Sequence, residues 1–314
     1  MEPLTLLDTV LTKRALLVTG KGGVGKTTVA AALARMAAKA GRRTLIAEIS
    51  SDESVPSRVA EVFGRHVTGE DPVQLDRNLH VTLLTPTAGH RRFLEDVLPM
   101  KVLANAAMRS GAIRRFFAAA PAFGEMGVLY RLLDFARRRR GDGAYEYETV
   151  VVDLPATGHA LALAQVPGMI LRVIPAGPIG NAVREGVLLL GDKERTAALV
   201  VTLLEPLPLQ ESLELVQGIL KYDVPFAGML ANRVVPHSFS EGEHDALTAA
   251  LSGAPPMMGA RLFQQASRAR GLMARLGAEL PHPLVMLPEL AERDRALVEA
   301  AALTLASAEW RQPS

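Results

Sequence analysis

The chain has 314 residues, of which 49% are hydrophobic, and it contains no cysteine. This length and composition suffice for one large α/β domain or two smaller ones, whereas disulfides, thiolate metal sites and thiol catalysis are excluded. The formal net charge is only +2, so no strong charge asymmetry suggests a nucleic-acid partner. No basic targeting region opens the chain and no apolar run reaches the roughly 18 residues of a membrane span. We therefore expect a cytoplasmic protein without a direct membrane span.

The first feature in chain order is a glycine-rich segment that lies between a predicted strand, residues 15–18, and a predicted helix, residues 27–40. Its spacing fits the G-x-x-x-x-G-K-[ST] pattern of a phosphate-binding loop, in which backbone N–H groups and a helix N-terminus surround phosphate. The lysine of that pattern reaches the β- and γ-phosphates, and the hydroxyl binds Mg²⁺. A glycine turn that happens to carry a lysine is the alternative, which the strand-loop-helix context disfavours. The predicted binding residues are Gly20, Lys21, Gly22, Gly23, Val24, Gly25, Lys26, Thr27 and Thr28.

A second lysine and a polar cluster stand close to this loop. Lys21 is not specified by the ordinary pattern, and a long cation on a rigid loop beside a nucleotide has few partners other than phosphate. The next predicted strands cover residues 44–49 and 81–84. Polar residues follow the first of them at the edge where ligands bind in open α/β sheets. These residues are Glu48, Ser50, Ser51, Asp52 and Glu53.

From about residue 89 to residue 140 the pattern is helical and predicts a helical subdomain inserted into the sheet domain. Its phenylalanines and methionines suit an adaptable apolar groove, although ordinary helix packing is the favoured interpretation on composition alone. The four arginines at 137–140 are explained by a solvated helix C-terminus.

The run of residues 149–153 predicts a buried strand that ends in a carboxylate, Asp153, as a Walker B element does. In a phosphate-loop enzyme such an acid orients Mg²⁺ or its water shell, whereas a helix N-cap is the alternative. The small residues that follow suit a loop that moves with the γ-phosphate.

Strands and helices continue to alternate, which predicts a doubly wound, mostly parallel α/β sheet covered on both faces. Asn232 ends one strand, where its amide is placed either to read an adenine edge or to form a turn. The further strands are predicted at 171–174, 197–202, 227–231 and 284–287, and the helices at 181–190, 209–221, 241–251, 261–276 and 290–310.

Together these motifs resemble the ArsA-type ATPases, the deviant-Walker-A group of P-loop ATPases that includes arsenite-pump ATPases and targeting factors for tail-anchored membrane proteins. The resemblance covers most of the chain, and its T-G-H and N-R-x-x-P elements separate this group from MinD and ParA relatives. The matching segments are Gly20 to Thr28, Asp153-Leu154-Pro155-Ala156-Thr157-Gly158-His159, Glu205-Pro206-Leu207-Pro208-Leu209-Gln210-Glu211, Asn232-Arg233-Val234-Val235-Pro236 and Pro121-Ala122-Phe123-Gly124-Glu125.

The resemblance implies one P-loop ATPase domain over residues 1–314, with the insertion at about 89–140 and further helices at about 241–276. It implies a nucleotide-gated dimer that couples ATP binding and hydrolysis to the helical subdomain, for anion transport or protein targeting. The implied cofactors are ATP and Mg²⁺. The implied partners are a second copy or a paralogous ATPase and a client protein with a hydrophobic helix, and no nucleic acid is expected.

The resemblance also assigns roles to single residues. Lys26 holds the β- and γ-phosphates, and Lys21 reaches across the two-fold interface to the partner's nucleotide. Thr27 binds Mg²⁺, Asp153 senses Mg²⁺ and the γ-phosphate, and Asn232 reads adenine. Lys21, Lys26 and Asp153 are therefore the predicted catalytic residues, and Thr27 and Asp153 form the predicted metal site.

The chain departs from this family at switch I, where the family has D-P-A-H and its Asp positions the attacking water. Here Ser50 aligns with that Asp, so either Glu48 or Asp52 substitutes for it or turnover is slow. Two alternatives stay open. One is a hydrolysis-impaired subunit paired with a paralogous ATPase, and the other is a partitioning or membrane- or DNA-associated switch of the MinD or ParA kind.

Overall fold

The computed structural model describes residues 5–50, 52, 54–86, 89, 123–155, 165, 167–168, 171–172, 176–235, 239–252, 258–279 and 282–311. The strands are β1 Ala15–Gly20, β2 Thr44–Ile49, β3 Val73–Asp76, β4 Leu79–Leu84, β5 Thr149–Asp153, β6 Thr196–Leu203, β7 Phe226–Val234 and β8 Leu284–Pro288. The helices are α1 Leu6–Thr12, α2 Lys26–Lys39, α3 Arg58–Val62, α4 Phe123–Arg137, α5 Gly177–Gly191, α6 Pro206–Lys221, α7 Glu241–Leu251, α8 Met258–Glu279 and α9 Asp294–Ala306.

The strands form one sheet in the order β3-β4-β2-β5-β1-β6-β7-β8. The pairing is parallel throughout except between β3 and β4. The central strand β1 is buried along its whole length and pairs with β5 on one side and β6 on the other. Ligands of such sheets bind outside the carboxyl ends of the strands, where the strand order reverses. The fold therefore directs attention to the end of β1.

Alternate residues of β1 pack into two different cores, because successive side chains of a strand point to opposite faces. Leu16 and Val18 join a cluster with α2 and α9. Leu17 joins a second cluster, which includes Leu133 of α4 and Leu209 of α6. The sheet is thus covered by helices on both faces, and the predicted doubly wound α/β fold is confirmed.

The helices predicted to reach residues 140 and 310 end at Arg137 and Ala306, and one predicted strand is wrong. Leu171 and Arg172 are helical, so the strand predicted at 171–174 is wrong where the structure describes it. A short apolar run has no period that separates a buried strand from a buried helical segment. The other predicted strands are confirmed, whereas β3, α1 and α3 were not predicted because they are short.

The helical subdomain predicted at 89–140 is described only in part. Helix α4 and the hairpin in which Arg139 pairs with Tyr145 are visible, and residues 90–122 lie outside the described residues. The division into one domain with this insertion stays a prediction. Within the described helices, none is both long and apolar enough to span a bilayer.

Candidate functional site

Two glycines of the loop between β1 and α2 have a positive φ and no room for a side chain. At Gly20 the backbone φ is +149°, and a Cβ there would lie 2.2 Å from the carbonyl oxygen of Val201 in β6. At Gly25 φ is +91°, and a Cβ would lie 2.4 Å from Nδ2 of Asn232 in β7. Gly25 precedes α2 without any side-chain cap, so the first amides of that helix remain for an anionic ligand.

Lys26 folds back over this loop. Its Nζ donates a hydrogen bond of 2.9 Å to the carbonyl oxygen of Lys21. Burial lowers the pKa of Lys26, and the charge of Asp153 opposes this effect. A phosphate oxygen is a stronger acceptor for an ammonium group than a neutral carbonyl is. The lysine is therefore already placed at the position where phosphate oxygens are expected.

Thr27 and Asp153 meet at the carboxyl ends of β1 and β5. The register Val18↔Asp153 brings the carboxylate beside the loop, and Thr27 Oγ1 donates to Asp153 Oδ2 at 2.6 Å. Asp153 is 6% exposed, and its other oxygen, Oδ1, is buried without a hydrogen-bond partner among the described residues. Burial raises the pKa of Asp153 to about 6, the hydrogen bond from Thr27 lowers it, and the charge of Glu48 raises it further. An unpaired buried carboxylate oxygen is costly, so this oxygen fits a cation.

The donor set of Thr27 and Asp153 suits Mg²⁺, which prefers oxygen ligands and is held in many nucleotide sites by one or two protein oxygens and phosphates. The structure therefore supports these two residues as the ones that would hold the metal. The assignment of the metal residues stays a prediction.

Glu48, one of the two candidate substitutes for the switch I Asp, is engaged elsewhere. It is buried at the end of β2, and its Oε2 accepts hydrogen bonds from Ser57 Oγ at 2.5 Å and from the backbone N–H of Val59 at 3.2 Å. Its Oε1 accepts from the N–H of Arg58 at 3.1 Å. Both oxygens thus hold the first turn of α3. The positive end of the helix dipole at that turn stabilises a carboxylate.

Ser50 and Asp52 lie on the wall of the cleft and bind mainly to their own segment. Ser50 Oγ donates to the carbonyl oxygen of Asp52 at 2.9 Å and accepts from its N–H at 3.1 Å. Asp52 Oδ1 accepts from the hydroxyl and the N–H of Ser54, which lower the pKa of Asp52. Asp52 is exposed and is the candidate whose carboxylate still faces solvent beside the cleft, while Ser51 and Glu53 lie outside the described residues.

These elements enclose a cleft of about 550 Å³ between the phosphate loop, the end of β2 and the end of β5. Thr28 lies in the first turn of α2 and does not line it, Val24 is buried, and Gly20 lies against β6. Residues 156–159 of the predicted switch loop lie outside the described residues. The lining residues are Gly22, Gly23, Gly25, Lys26, Thr27, Glu48, Ile49, Ser50, Asp52, Val55, Pro56, Arg58, Asp153, Leu154 and Pro155.

Arg58 is the residue of this cleft that sequence reasoning missed. It matches no motif of the family and is separated from the strand end by an irregular segment. The only local signal is Ser57, which is the N-cap of α3 and donates to Glu48.

Asn232, on β7, holds the phosphate loop in place through its side-chain amide. Its Nδ2 donates to the carbonyl oxygen of Val24 at 2.9 Å, and its Oδ1 accepts from the N–H of Arg233 at 2.9 Å. It also lines a second, smaller cavity of about 180 Å³ together with Glu205, Gln265 and Glu289. Its predicted role as the adenine reader stays a prediction, and the observed role as a brace was not predicted.

Lys21 points away from the phosphate side of its own loop. Its Nζ donates to Glu211 Oε1 of α6 at 2.5 Å, and both side chains are about one third exposed, at 33% and 39%. Glu211 is the last residue of the segment that resembles E-x-L-P-x-x-E. The structure therefore joins one residue of the phosphate loop to one residue of the E-x-L-P-x-x-E segment.

Comparison with known proteins identifies the family of the chain. Residues 13–176, about half of the chain, match the anion-transporting ATPase family. The ATPase BagA of Mycobacterium tuberculosis (strain ATCC 25618 / H37Rv) is 29% identical over 243 residues, which cover 73% of this chain and 70% of BagA. The ATPase GET3 of Kluyveromyces lactis is 26% identical over 284 residues, which cover 77% of this chain and 78% of GET3. The arsenical pump-driving ATPase of Acidiphilium multivorum is 29% identical over 259 residues, which cover 75% of this chain and 42% of that protein. The chain thus belongs to the anion-transporting ATPase family and is an ATPase of the ArsA type.

Proposed function

We propose that the chain binds Mg·ATP in the cleft beside the phosphate loop and hydrolyses it as a face-to-face dimer. The observation that carries this proposal is the pair of Thr27 and Asp153, joined at 2.6 Å, with one buried carboxylate oxygen that no described residue binds. Thr27 and Asp153 would hold Mg²⁺ there, and the ion would supply positive charge against the phosphates of the nucleotide.

Backbone and side-chain groups of the loop contact different parts of the nucleotide. The free amides at the start of α2 hold the phosphates, and Lys26 moves its Nζ from the carbonyl oxygen of Lys21 to the β- and γ-phosphates. Asp153 has a pKa of about 6, so its carboxyl is mostly ionised at pH 7 and is ready to receive a cation.

Lys21 has a separate role in the proposed dimer. Unlike Lys26, it does not cover its own loop but extends to Glu211 at a partly exposed position. We propose that it leaves Glu211 and reaches the nucleotide of the opposite subunit, which is a second copy or a paralogous ATPase. Helix α4 packs in the same core as β5. We propose that α4 transmits ATP binding and hydrolysis to the helical subdomain, which in turn drives anion transport or protein targeting.

A second candidate function is favoured by the contacts at switch I. Ser50 replaces the water-positioning Asp, and Glu48 uses both carboxylate oxygens to hold α3. The chain would then bind ATP but hydrolyse it slowly, and it would act beside a paralogous ATPase with an intact switch I. The MinD- or ParA-like alternative stays a prediction without a supporting contact among the described residues.

Nucleotide binding and phosphate release by the purified chain test both candidates. We expect Mg²⁺-dependent binding of a fluorescent ATP analogue, which is lost in Lys26→Ala and kept in Lys39→Ala at the far end of the same helix. No binding at millimolar ATP would refute the proposal. Turnover of about 1 s⁻¹ or more by the chain alone is within the ordinary enzyme range and would count against the second candidate. An increase of a low rate in Ser50→Asp would identify Ser50 as the cause of slow turnover.

A further inference from the structure

The cleft is lined by two basic side chains among the described residues, Lys26 on the phosphate loop and Arg58 on the wall formed by α3. Lys26 is accounted for by its loop. Arg58 is exposed to solvent, and no described residue forms an ion pair or side-chain hydrogen bond with its guanidinium group. A cation that pairs with no described residue, in a cleft proposed to bind phosphate, calls for an explanation.

The backbone of Arg58 is held firmly although its side chain is not. Its N–H donates to Glu48 Oε1, and the flanking residues Ser57 and Val59, both 0% exposed, donate to Glu48 Oε2. Glu48 in turn is paired in register with Asp153 across β2 and β5. The start of α3 is therefore anchored to the strand ends that form the cleft. The charge of Arg58 also lowers the pKa of Asp153.

A role in helix stability does not explain this arginine. A cation in the first turn of a helix opposes the positive end of the helix dipole, and acidic residues are favoured there instead. The carboxylate of Glu48 already satisfies the N–H groups of that turn. The position is unfavourable for the fold and favourable for a negatively charged ligand in the cleft.

Guanidinium suits that ligand because its planar fork binds two phosphate oxygens at once. The P-loop holds the phosphates nearest to α2, and the cleft wall opposite carries Arg58 together with Ser50, where the family has a carboxylate. Glu48 and Asp52 also line this cleft, but Arg58 is the side chain of the wall whose charge attracts a phosphate. We propose that Arg58 binds the γ-phosphate of ATP and makes this cleft select nucleoside triphosphates over diphosphates. This inference rests on the proposed ATP function.

The test compares the affinities of a nonhydrolysable ATP analogue and of ADP, both with Mg²⁺, in Arg58→Ala, Arg58→Lys and wild type. We expect Arg58→Ala to lose about tenfold or more in affinity for the analogue, since hydrogen bonds to charged groups are the stronger ones, while affinity for ADP stays within about twofold. Arg58→Lys should recover part of the loss because it keeps the charge without the fork. The control is Arg65→Ala, which removes an exposed arginine just beyond α3 and should change neither affinity.

Two results would overturn the proposal in different ways. Equal losses for the ATP analogue and ADP, or no loss for either, would refute the γ-phosphate contact and leave nucleotide binding intact. If wild type binds neither nucleotide, the proposed ATP function fails together with the inference. Circular dichroism and the melting temperature of each variant ensure that the comparison is made between folded proteins.

Discussion

Lys21 of the phosphate loop is bound to Glu211 of α6 at 2.5 Å, a contact between residues 190 positions apart in one chain. By the family resemblance, this lysine is the one that reaches the nucleotide of the opposite subunit. In the proposed dimer the bond to Glu211 therefore competes with the bond to the partner's nucleotide. Because both side chains are about one third exposed, the pair contributes only a fraction of a kcal/mol up to about 1 kcal/mol. A contact of this strength is weak enough for Lys21 to exchange it for a contact with the partner's nucleotide.

Replacing Glu211 by glutamine should release Lys21 and favour the dimer. We expect the protein concentration that gives half-maximal ATPase activity to fall by up to about fivefold for each Lys21 released, and by up to about thirtyfold for the two of a symmetric dimer, from the upper value for an exposed pair. The measurement is ATPase rate against protein concentration, with sedimentation to follow association. Glu214→Gln is the matched control, because Glu214 lies one turn further along α6 and binds Gln210. Full activity with strictly first-order dependence in Lys21→Ala would remove the basis of the cross-subunit role.

Asp153 predicts an unusual pH dependence of stability. Burial raises its pKa from 3.8 to about 6, so the folded protein holds this proton more tightly than the unfolded chain does. The free energy of unfolding must then fall as pH rises from about 4 to about 6, and the loss persists at higher pH. The size is on the order of 3 kcal/mol for a shift of about two pKa units.

Asp153→Asn removes this cost in the protein without nucleotide or Mg²⁺. We expect its free energy of unfolding in urea to exceed that of wild type at pH 7 and to match it near pH 4. The amide oxygen still accepts the hydrogen bond from Thr27. Asp52→Asn serves as the control, since Asp52 is exposed and hydrogen bonds lower its pKa, so no gain is expected there. A variant less stable than wild type at pH 7 would contradict the prediction.

Asn232 offers a test between a brace and a base reader. If the amide only braces Val24, Asn232→Ala should weaken ATP and GTP binding by the same factor. If it also reads adenine, ATP binding should fall more, and the preference for ATP over GTP should shrink. Asn232→Asp places a carboxylate oxygen against the carbonyl of Val24, so we expect it to lower stability by about 1–3 kcal/mol. Competition binding with both nucleotides and urea unfolding supply the two measurements.

Arg131 should be essential for attaching α4 to the sheet domain. Its guanidinium binds Glu70 at 2.7 Å and Asp134 at 2.6 Å, and Arg131 and Asp134 are each only 5% exposed. Arg131→Met leaves these acids without their shared cation, and we expect a loss of about 3–5 kcal/mol in the free energy of unfolding. Arg138→Met is the control, because Arg138 also binds Asp134 but is about one third exposed. Equal losses in the two variants would contradict the role of burial.

The fold and the phosphate loop were predictable because their signals are local. Gly20, Gly25, Lys26 and Thr27 stand at a fixed spacing between a strand and a helix, and backbone geometry requires that spacing. The apolar run before Asp153 likewise defines its strand without knowledge of any partner. A buried parallel sheet needs such uninterrupted runs, so the ends of its strands were found within about three residues.

The remaining contacts depend on which segments meet in three dimensions. The sequence placed Glu48 beside the cleft but gave no reason to expect that α3 would occupy both of its oxygens. The partner of Lys21 lies in another motif, and no local rule links them. Leu171 and Arg172 were assigned to a strand because four apolar and basic residues carry too little periodicity to decide between strand and helix.

In the proposed ATP complex, the amide of Asn232 couples the binding of adenine to the binding of the phosphates. Its Nδ2 carries two N–H groups, so that it can hold the carbonyl of Val24 with one of them and reach a base edge with the other, and it also lies against Gly25. Any ligand that draws the amide away must therefore change the loop that holds the phosphates. Such coupling is reciprocal. If a phosphate mimic changes the affinity for adenosine by some factor, adenosine must change the affinity for the phosphate mimic by the same factor.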